Sequence, residues 1–453
     1  MMVDKSYFML KVLTFLVCYG CQATCVAQRI NVDSLLSKLT CIPADLDVID
    51  RNVDAEVSAF DQFWHIADSA KVIVIGELDH RDGSTLALKS ELLSAFSERY
   101  DSLVFLVEYG VATIDEIDHR IREKKDSVYF HYGYLQGGHP GSSKAFDLIA
   151  AQLQRAYDTR PGSIVFGGVD VVESTEYLEL YLKRLLPDTV EVVDKRGRRY
   201  SKDDIVDQFT RHWWYKPFAD AKEEAVYYNR VNPDVTSGLA DLLMKQLPLT
   251  RVDADIVLSV KRQAMVRKMW ATYPKIKGRY PSPPTLVLRD SIMANNALNF
   301  IRRHPNHKVV ISVSNFHAAK SMDGIYKKRG GEVRTMVNHL RDSLGGEIAS
   351  IATVRYNGAA GEWRHDAQNR YQEVLKKRRS SIEALLARRC GSLGFVAFDK
   401  YFEDKKFKMN GTFYSSPKHT WRDVYDGIFF IHTMQTDVMV GQRPHRRHLS
   451  FPD

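Results

Sequence analysis

Two glutamates and two histidines stand where they can act together on water. Glu77 and His80 are three residues apart in Gly76-Glu77-Leu78-Asp79-His80, directly after the apolar run Lys71–Ile75. Glu108 ends a second run, Ser102–Val107, and His317 follows a third, Lys308–Val313, in Ser314-Asn315-Phe316-His317. An imidazole titrates near neutral pH and can take a proton from water when a carboxylate fixes its tautomer and stabilises the imidazolium. Glu77 and Glu108 are the carboxylates for His80 in this reading, and His317 would polarise or protonate the other end of an ester. Other chemistries lack their residues. There is no Gly-x-Ser-x-Gly, so the strained turn that exposes a nucleophilic serine is missing. No Gly-x-x-x-x-Gly-Lys and no Gly-x-Gly-x-x-Gly after a strand offers a phosphate cradle. There is no His-Glu-x-x-His, and no Cys-x-x-Cys beyond residues 1–27, so neither zinc-binding pattern is offered there.

The elements that must position these residues can be read from the same runs. Ser163–Val169 stops at Asp170, and two weaker copies, Gly394–Phe398 and Asp426–Ile431, stop at Asp399 and His432. Continuous β-branched and aromatic runs, without polar alternation, belong to strands buried on both faces, as in a parallel sheet. Helix-length segments lie between them at Thr85–Arg99, Ser143–Tyr157 and Ser174–Leu186. The pattern predicts an α/β fold with a mostly parallel central sheet flanked by helices. Ligands of such sheets sit beyond the carboxyl ends of the strands. Glu77, His80, Glu108, Asp170 and His317 would all be delivered to that edge. From about residue 201 to about 285 the character changes. Asp203–Lys216, Ala219–Asn229 and Ala254–Met269 read as helices, with Trp213, Trp214 and Tyr215 among charges, and Arg279–Pro284 closes the region as a stiff turn. This segment is expected to be a helical insertion over the sheet edge, either a lid or a packing layer.

Composition sets the outer bounds. The 453 residues are 44% hydrophobic and 26% charged, so a packed globular core is expected and wholesale disorder is excluded. The net charge of +8 is concentrated in Lys195–Arg199, Lys376–Arg379 and Arg443–His448. None of these runs alternates with aromatics as a single-strand-binding surface does, so no nucleic-acid partner is expected. Lys5, the apolar stretch Tyr7–Gly20 and the small residues of Ala23–Ala27 describe a cleaved secretory signal over residues 1–27. The stretch is shorter than the roughly 20 apolar residues of a membrane-spanning helix. A lipoprotein signal acylated at Cys21 or Cys25 is the alternative. The mature part, 28–453, is expected to be periplasmic or secreted, with no transmembrane helix. Cys41 and Cys390 remain there, and export permits a disulfide between them.

Five motifs also resemble one family. Val-Ile-Val-Ile-Gly-Glu-Leu-Asp-His, ending at His80, looks like the Leu-Gly-Glu-x-x-His signature of the erythromycin esterase family, whose next strand ends in Glu as Val107-Glu108 does. Arg289-Asp290-Ser291-Ile292-Met293-Ala294 resembles its Arg-Asp-x-x-Met-Ala helix start. Ser314-Asn315-Phe316-His317 is similar to its His-Asn-x-His strand end, and Tyr425-Asp426-Gly427 to its closing Phe-Asp-Gly strand. The resemblance spans roughly residues 60–435, with the motifs in family order.

It implies metal-independent hydrolysis of a cyclic ester, with His80 as general base and Glu77, Glu108 and His317 in support. No cofactor is implied, although the wider superfamily holds metal-dependent hydrolases and a bound divalent metal stays open. Two positions depart from the pattern. Ser314 replaces the first His, and Lys89 stands where macrolide-cleaving members carry Arg. Lys lacks the planar fork of Arg. Lys89, Asp170, Ser314, Asn315 and Arg289 are the expected substrate contacts. Asp170 can instead cap the next helix, Asn315 can hold its loop, and Arg289 and Asp290 can start a helix over Met293–Arg302. The substrate would be a small-molecule or cell-envelope ester. The alternatives are an inactive binding or surface-associated protein on the same fold, and a metal-dependent hydrolase or peptidase using His80, Glu108 and His317 as ligands.

Overall fold

The computed structural model describes residues 40–42, 53–78, 82–124, 142–194, 196–210, 233–272, 283–325, 333–361, 371–373, 381–388, 393–411, 418–434 and 439–440. The chain runs β1 (Thr40–Ile42), α1 (Val53–Ser69), β2 (Val72–Glu77), α2 (Gly83–Arg99), β3 (Leu103–Gly110) and α3 (Val111–Arg122). Next come β4 (Ser142–Ser143), α4 (Lys144–Thr159), β5 (Ile164–Asp170), α5 (Thr175–Leu185) and a ribbon of β6 (Glu191–Val193) and β7 (Arg199–Ser201). Four helices follow: α6 (Lys202–Thr210), α7 (Pro233–Gln246), α8 (Arg251–Thr272) and α9 (Pro283–Arg303). After β8 (Lys308–Ser314) come the short α10 (Asn315–Ala318), α11 (Met336–Leu344), β9 (Ile348–Gly361) and β10 (Tyr371–Glu373). The remainder is α12 (Ile382–Leu386), β11 (Leu393–Ala397), β12 (Phe407–Lys408), β13 (Lys418–His419), β14 (Gly427–Met434) and β15 (Met439–Val440).

Among the described residues, nine strands form the main sheet in the order β1-β11-β14-β9-β2-β8-β3-β5, with β10 paired to β9. Every pairing from β14 to β5 is parallel, and β11 and β1 complete one side antiparallel. Successive side chains of a strand point to opposite faces, and here both faces are buried. Val72, Val74, Val104, Leu106, Val309 and Ile311 enter a core with Met293 and Ala297 of α9 and Val337 and Leu340 of α11. Ile73, Ile75, Phe105 and Val310 enter the opposite core with Phe63 of α1, Leu92 and Phe96 of α2 and Leu153 of α4. This two-sided burial is why the strands read as unbroken apolar runs.

The fold is the expected one: a mostly parallel sheet between two helical layers. Two local expectations differ. The central strand β9 has no counterpart among the apolar runs, because Ala349, Ser350, Ala352 and Thr353 make it small and mixed in polarity. The helix expected over Met293–Arg302 begins at Pro283, so Arg289 and Asp290 lie inside α9 and do not cap it. Proline is well suited to a first helical turn, where its missing N–H has no partner to lose. The expected stiff turn therefore overlaps the helix at Pro283 and Pro284, and residues 279–282 lie outside the described residues.

Beyond β5, α5 to α8 and the β6–β7 ribbon share a separate core that includes Tyr181, Val192, Phe209, Leu243 and Val257. Helix α8 returns to the sheet edge, where Val266 packs with Val171 and Ile292. The expected helix Ala219–Asn229 and Trp213, Trp214 and Tyr215 lie outside the described residues, as do residues 1–39 and Cys390. No helix among the described residues is long and apolar enough to cross a membrane.

Candidate active site

The chain order of the strands makes a switch point. From β2 the chain moves outward to β3 and β5, then returns to insert β8 between β2 and β3, and crosses to place β9 on the far side of β2. A crevice beyond the carboxyl ends is expected at such a reversal. The candidate residues that are described collect there.

Glu77 is the last residue of β2 and pairs in register with Ser314, the last of β8. Its Oε2 accepts a hydrogen bond from Nζ of Lys89 at 2.7 Å, and the same ammonium donates to the Val313 carbonyl at 3.2 Å. Both side chains are buried, so Lys89 faces Glu77 and the backbone. Removing one partner of such a pair costs about 3–5 kcal/mol, because the other charge is left uncompensated. Four residues beyond Leu78, Asp82 forms a second buried ion pair with Arg355 of β9. Asp79, His80 and Arg81 lie outside the described residues. Their loop is therefore flanked on both sides by a carboxylate held in a buried ion pair.

The strand beside it is fastened by Asn315. The Asn315 amide donates to the Thr353 carbonyl at 2.8 Å and accepts from the Thr353 N–H at 3.1 Å. Thr353 Oγ1 donates to the Gly76 carbonyl at 2.8 Å, and the Tyr425 hydroxyl donates to the Asn315 carbonyl at 2.8 Å. Gly76 is required by this closeness, since a Cβ there would lie 2.3 Å from Asn315 Oδ1.

Glu108, Asp170, Arg289, His317 and Asp290 form one buried chain of charges. Arg289 reaches from α9 and grips Asp170 with both Nε (2.9 Å) and Nη2 (2.6 Å), while Nη2 also donates to Glu108 Oε1 at 3.1 Å. His317 places Nε2 3.1 Å from the same Glu108 oxygen and Nδ1 2.7 Å from Asp290 Oδ1. Glu108 Oε2 accepts from the Ser314 backbone N–H at 2.6 Å, and Asp290 Oδ1 from the Met336 N–H at 2.6 Å. Ser314 thus links the two halves of the site, in register with Glu77 on one side and donating to Glu108 on the other.

The electrostatics follow from burial and pairing. Burial alone would lower the titration of Arg289, but Asp170 and then Glu108 hold it above its ordinary value. Burial also opposes charge on His317, yet Asp290 and Glu108 outweigh it and raise the imidazole to about 10. His317 is accordingly a cation at neutral pH with both ring nitrogens directed at carboxylates. It offers a fixed positive charge and has no lone pair with which to act as a base.

Of the expected site residues, Glu77, Glu108, Asp170, Arg289, Ser314, Asn315 and His317 come to this one edge, with Lys89 behind Glu77. Asp290, expected only to start a helix, and the pair Asp82–Arg355 join them. A helix running through Arg289 and Asp290 would have signalled the first, because neighbouring residues on a helix point about 100° apart and so reach different partners. Among the described residues, no group of three His, Cys, Asp or Glu side chains is arranged to hold a metal ion.

A parallel α/β sheet with ion-paired carboxylates, an arginine and a histidine at its carboxyl edge defines the architectural class. Within it, the chain belongs to the erythromycin esterase family, whose sequence model matches residues 98–446. That match begins within α2, after the Gly76–His80 loop. Membership suggests a hydrolase acting on ester bonds. Among solved structures, a Bacillus cereus protein superposes with a TM-score of 0.62 at 13% identity, covering 90% of this chain and 97% of its own. A succinoglycan biosynthesis protein gives 0.61 at 12% identity, with 90% and 97% covered. A histidine-to-asparagine mutant of the erythromycin esterase EreC, in its open conformation, gives 0.59 at 15% identity, with 87% and 98% covered. At these identities the likeness is one of fold. No curated protein matches the chain.

Proposed function

We propose that this chain is an exported hydrolase of carboxylic esters or lactones in which His80 activates the attacking water. The reading is carried by one observation: Glu77, Glu108, Asp170 and His317 converge at the carboxyl ends of four neighbouring parallel strands, beside a loop flanked by two buried ion pairs. His80 takes a proton from water while Glu77 or Glu108 orients its ring. The hydroxide adds to the carbonyl carbon, and the tetrahedral intermediate collapses with cleavage of the C–O bond. The departing alkoxide recovers the proton from the His80 imidazolium, leaving a carboxylic acid and an alcohol. Arg289 and His317 supply a preorganised positive field for the developing oxyanion. His317 acts through its charge, which Glu108 and Asp290 hold on the ring.

General-base catalysis of this kind is worth about 10²–10⁴ in rate. His80→Ala should lose that much kcat/KM with an unchanged melting temperature, and equal activity in the two proteins would dismiss His80. The names of two structural neighbours direct the substrate panel toward macrolide and polysaccharide esters, assayed with and without chelator. Loss of turnover on chelation, together with a stoichiometric metal in the purified protein, would replace this mechanism with a metal-dependent one. Sequencing the amino terminus of protein recovered outside the cytoplasm should begin at Gln28.

A further inference from the structure

We infer that Glu173 is a positioning residue, a carboxylate latch that holds the Glu108 end of β3 against the Asp170 end of β5. The inference rests on the proposed site, because Glu108 and Asp170 are the groups it would hold. Glu173 lies three residues beyond Asp170, in the turn before α5, and is buried. Its Oε1 accepts from the Ala112 N–H at 3.1 Å. Its Oε2 accepts from the Thr113 N–H at 2.8 Å and the Thr113 hydroxyl at 2.7 Å. That hydroxyl in turn accepts from the Ser174 N–H at 2.8 Å, which closes a reciprocal knot. The donors are the first turn of α3, only a few residues after Glu108.

Three further features show that this contact organises the strand ends. Pairing of β3 with β5 shifts register between Val107 and Gly110, so Glu108 and Tyr109 sit on an irregularity that ladder hydrogen bonds do not span. Gly110 has an ordinary φ of −57°, so its backbone does not demand glycine. A Cβ at Gly110 would lie 2.0 Å from Glu173 Oε2, so the space is reserved for the carboxylate. Likewise a Cβ at Gly168 would lie 2.4 Å from the Gly110 carbonyl, which brings β5 as close from the other side. Among the described residues Glu173 has no ion-pair partner. Its charge meets only these neutral donors, with Asp170 adding repulsion, and burial pushes the carboxyl up to about 7. A group held at that cost is matched to its cradle and is not there as a surface charge.

The test uses His317 as a reporter that needs no turnover. Its imidazolium persists because Glu108 and Asp290 both face it. If the latch holds Glu108 in place, releasing it should lower the midpoint of the His317 ring resonances by about one unit or more, the size expected for a lost carboxylate neighbour. The full-length mature protein is compared with Glu173→Gln, Gly110→Ala, Thr113→Val and Thr113→Ser. The first three should shift the midpoint and lower kcat by about 10²-fold, the penalty of an ångström-scale misplacement. Thr113→Ser keeps the hydroxyl and should behave as wild type. Gly110→Ala leaves the carboxylate intact, so it carries the test if Glu173→Gln fails to fold. Folded Glu173→Gln and Gly110→Ala proteins with a wild-type His317 titration would reduce Glu173 to a helix cap and overturn the inference. A wild-type protein with no esterase activity would sink the proposed function, while the titration would still decide the latch.

Discussion

His317 directs both ring nitrogens at carboxylates, so its contribution to folding depends on pH. Its titration is raised from 6.5 to about 10 in the folded protein. The extra stability is complete below about 6.5, the unfolded value, and is lost as pH rises through the folded value. Between the two, the native state binds more protons than the unfolded one, so unfolding free energy falls by about 1.4 kcal/mol per pH unit. Denaturant titrations at several pH values should show the gap between wild type and His317→Gln narrowing from pH 6 to 10; a constant gap would mean that the imidazole is not held charged. Glu77, Glu108 and Asp170 were legible in the sequence because each ends an apolar run. Asp290 and Glu173 were not, since their roles depend on partners 27 and about 60 residues away in the chain. Nothing in Val172-Glu173-Ser174 announces that its glutamate reaches into the first turn of another helix.

At the scale of elements, β9 carries the clearest lesson. It is the strand between β2 and β14, yet it reads as Ile-Ala-Ser-Ile-Ala-Thr-Val-Arg. Its polar residues are consumed locally: Ser350 bonds the Ala318 carbonyl, Thr353 bonds Gly76, and Arg355 pairs with Asp82. A hydropathy pattern registers such residues as solvent-facing, whereas here they fasten one strand end to the next. The same closeness makes Gly76 a sensitive point. Gly76→Ala would set a methyl 2.8 Å from the Asn315 Cα, a backbone atom that cannot swing aside. Overpacking of this kind costs about 1–3 kcal/mol, so the urea midpoint should drop with an unchanged slope. A variant as stable as wild type would show that β2 and α10 can separate without cost. The helices α2, α4 and α5 were legible within a residue or two, whereas the start of α9 was not, because prolines in a first helical turn have the pattern of a stop.

On the scale of the molecule, the described residues form two cores against the sheet and a third outside it. The third belongs to α5 to α8 and the β6–β7 ribbon, and reaches the sheet side through Val111, Ala112 and the Val171–Val266–Ile292 cluster. The helical character of this region was legible, but its partners were not, because α5 and the ribbon precede the change in composition. Regions with few contacts to the main core open at lower free energy. Hydrogen exchange should therefore be faster in α7 and α8 than in β2, β3 and β8, and substrate analogues should slow α8 most if it borders the cleft. Uniform protection would show one cooperative unit. The placement of β8 has a consequence for biogenesis. Strands β2 and β3 are made early, but the strand that joins them is translated about 200 residues later. Until then each offers an open edge of the sort that pairs with neighbouring chains. A polypeptide built this way gains from staying unfolded until its whole length has been delivered, and threading through a narrow export channel, the route proposed above, would meet that condition.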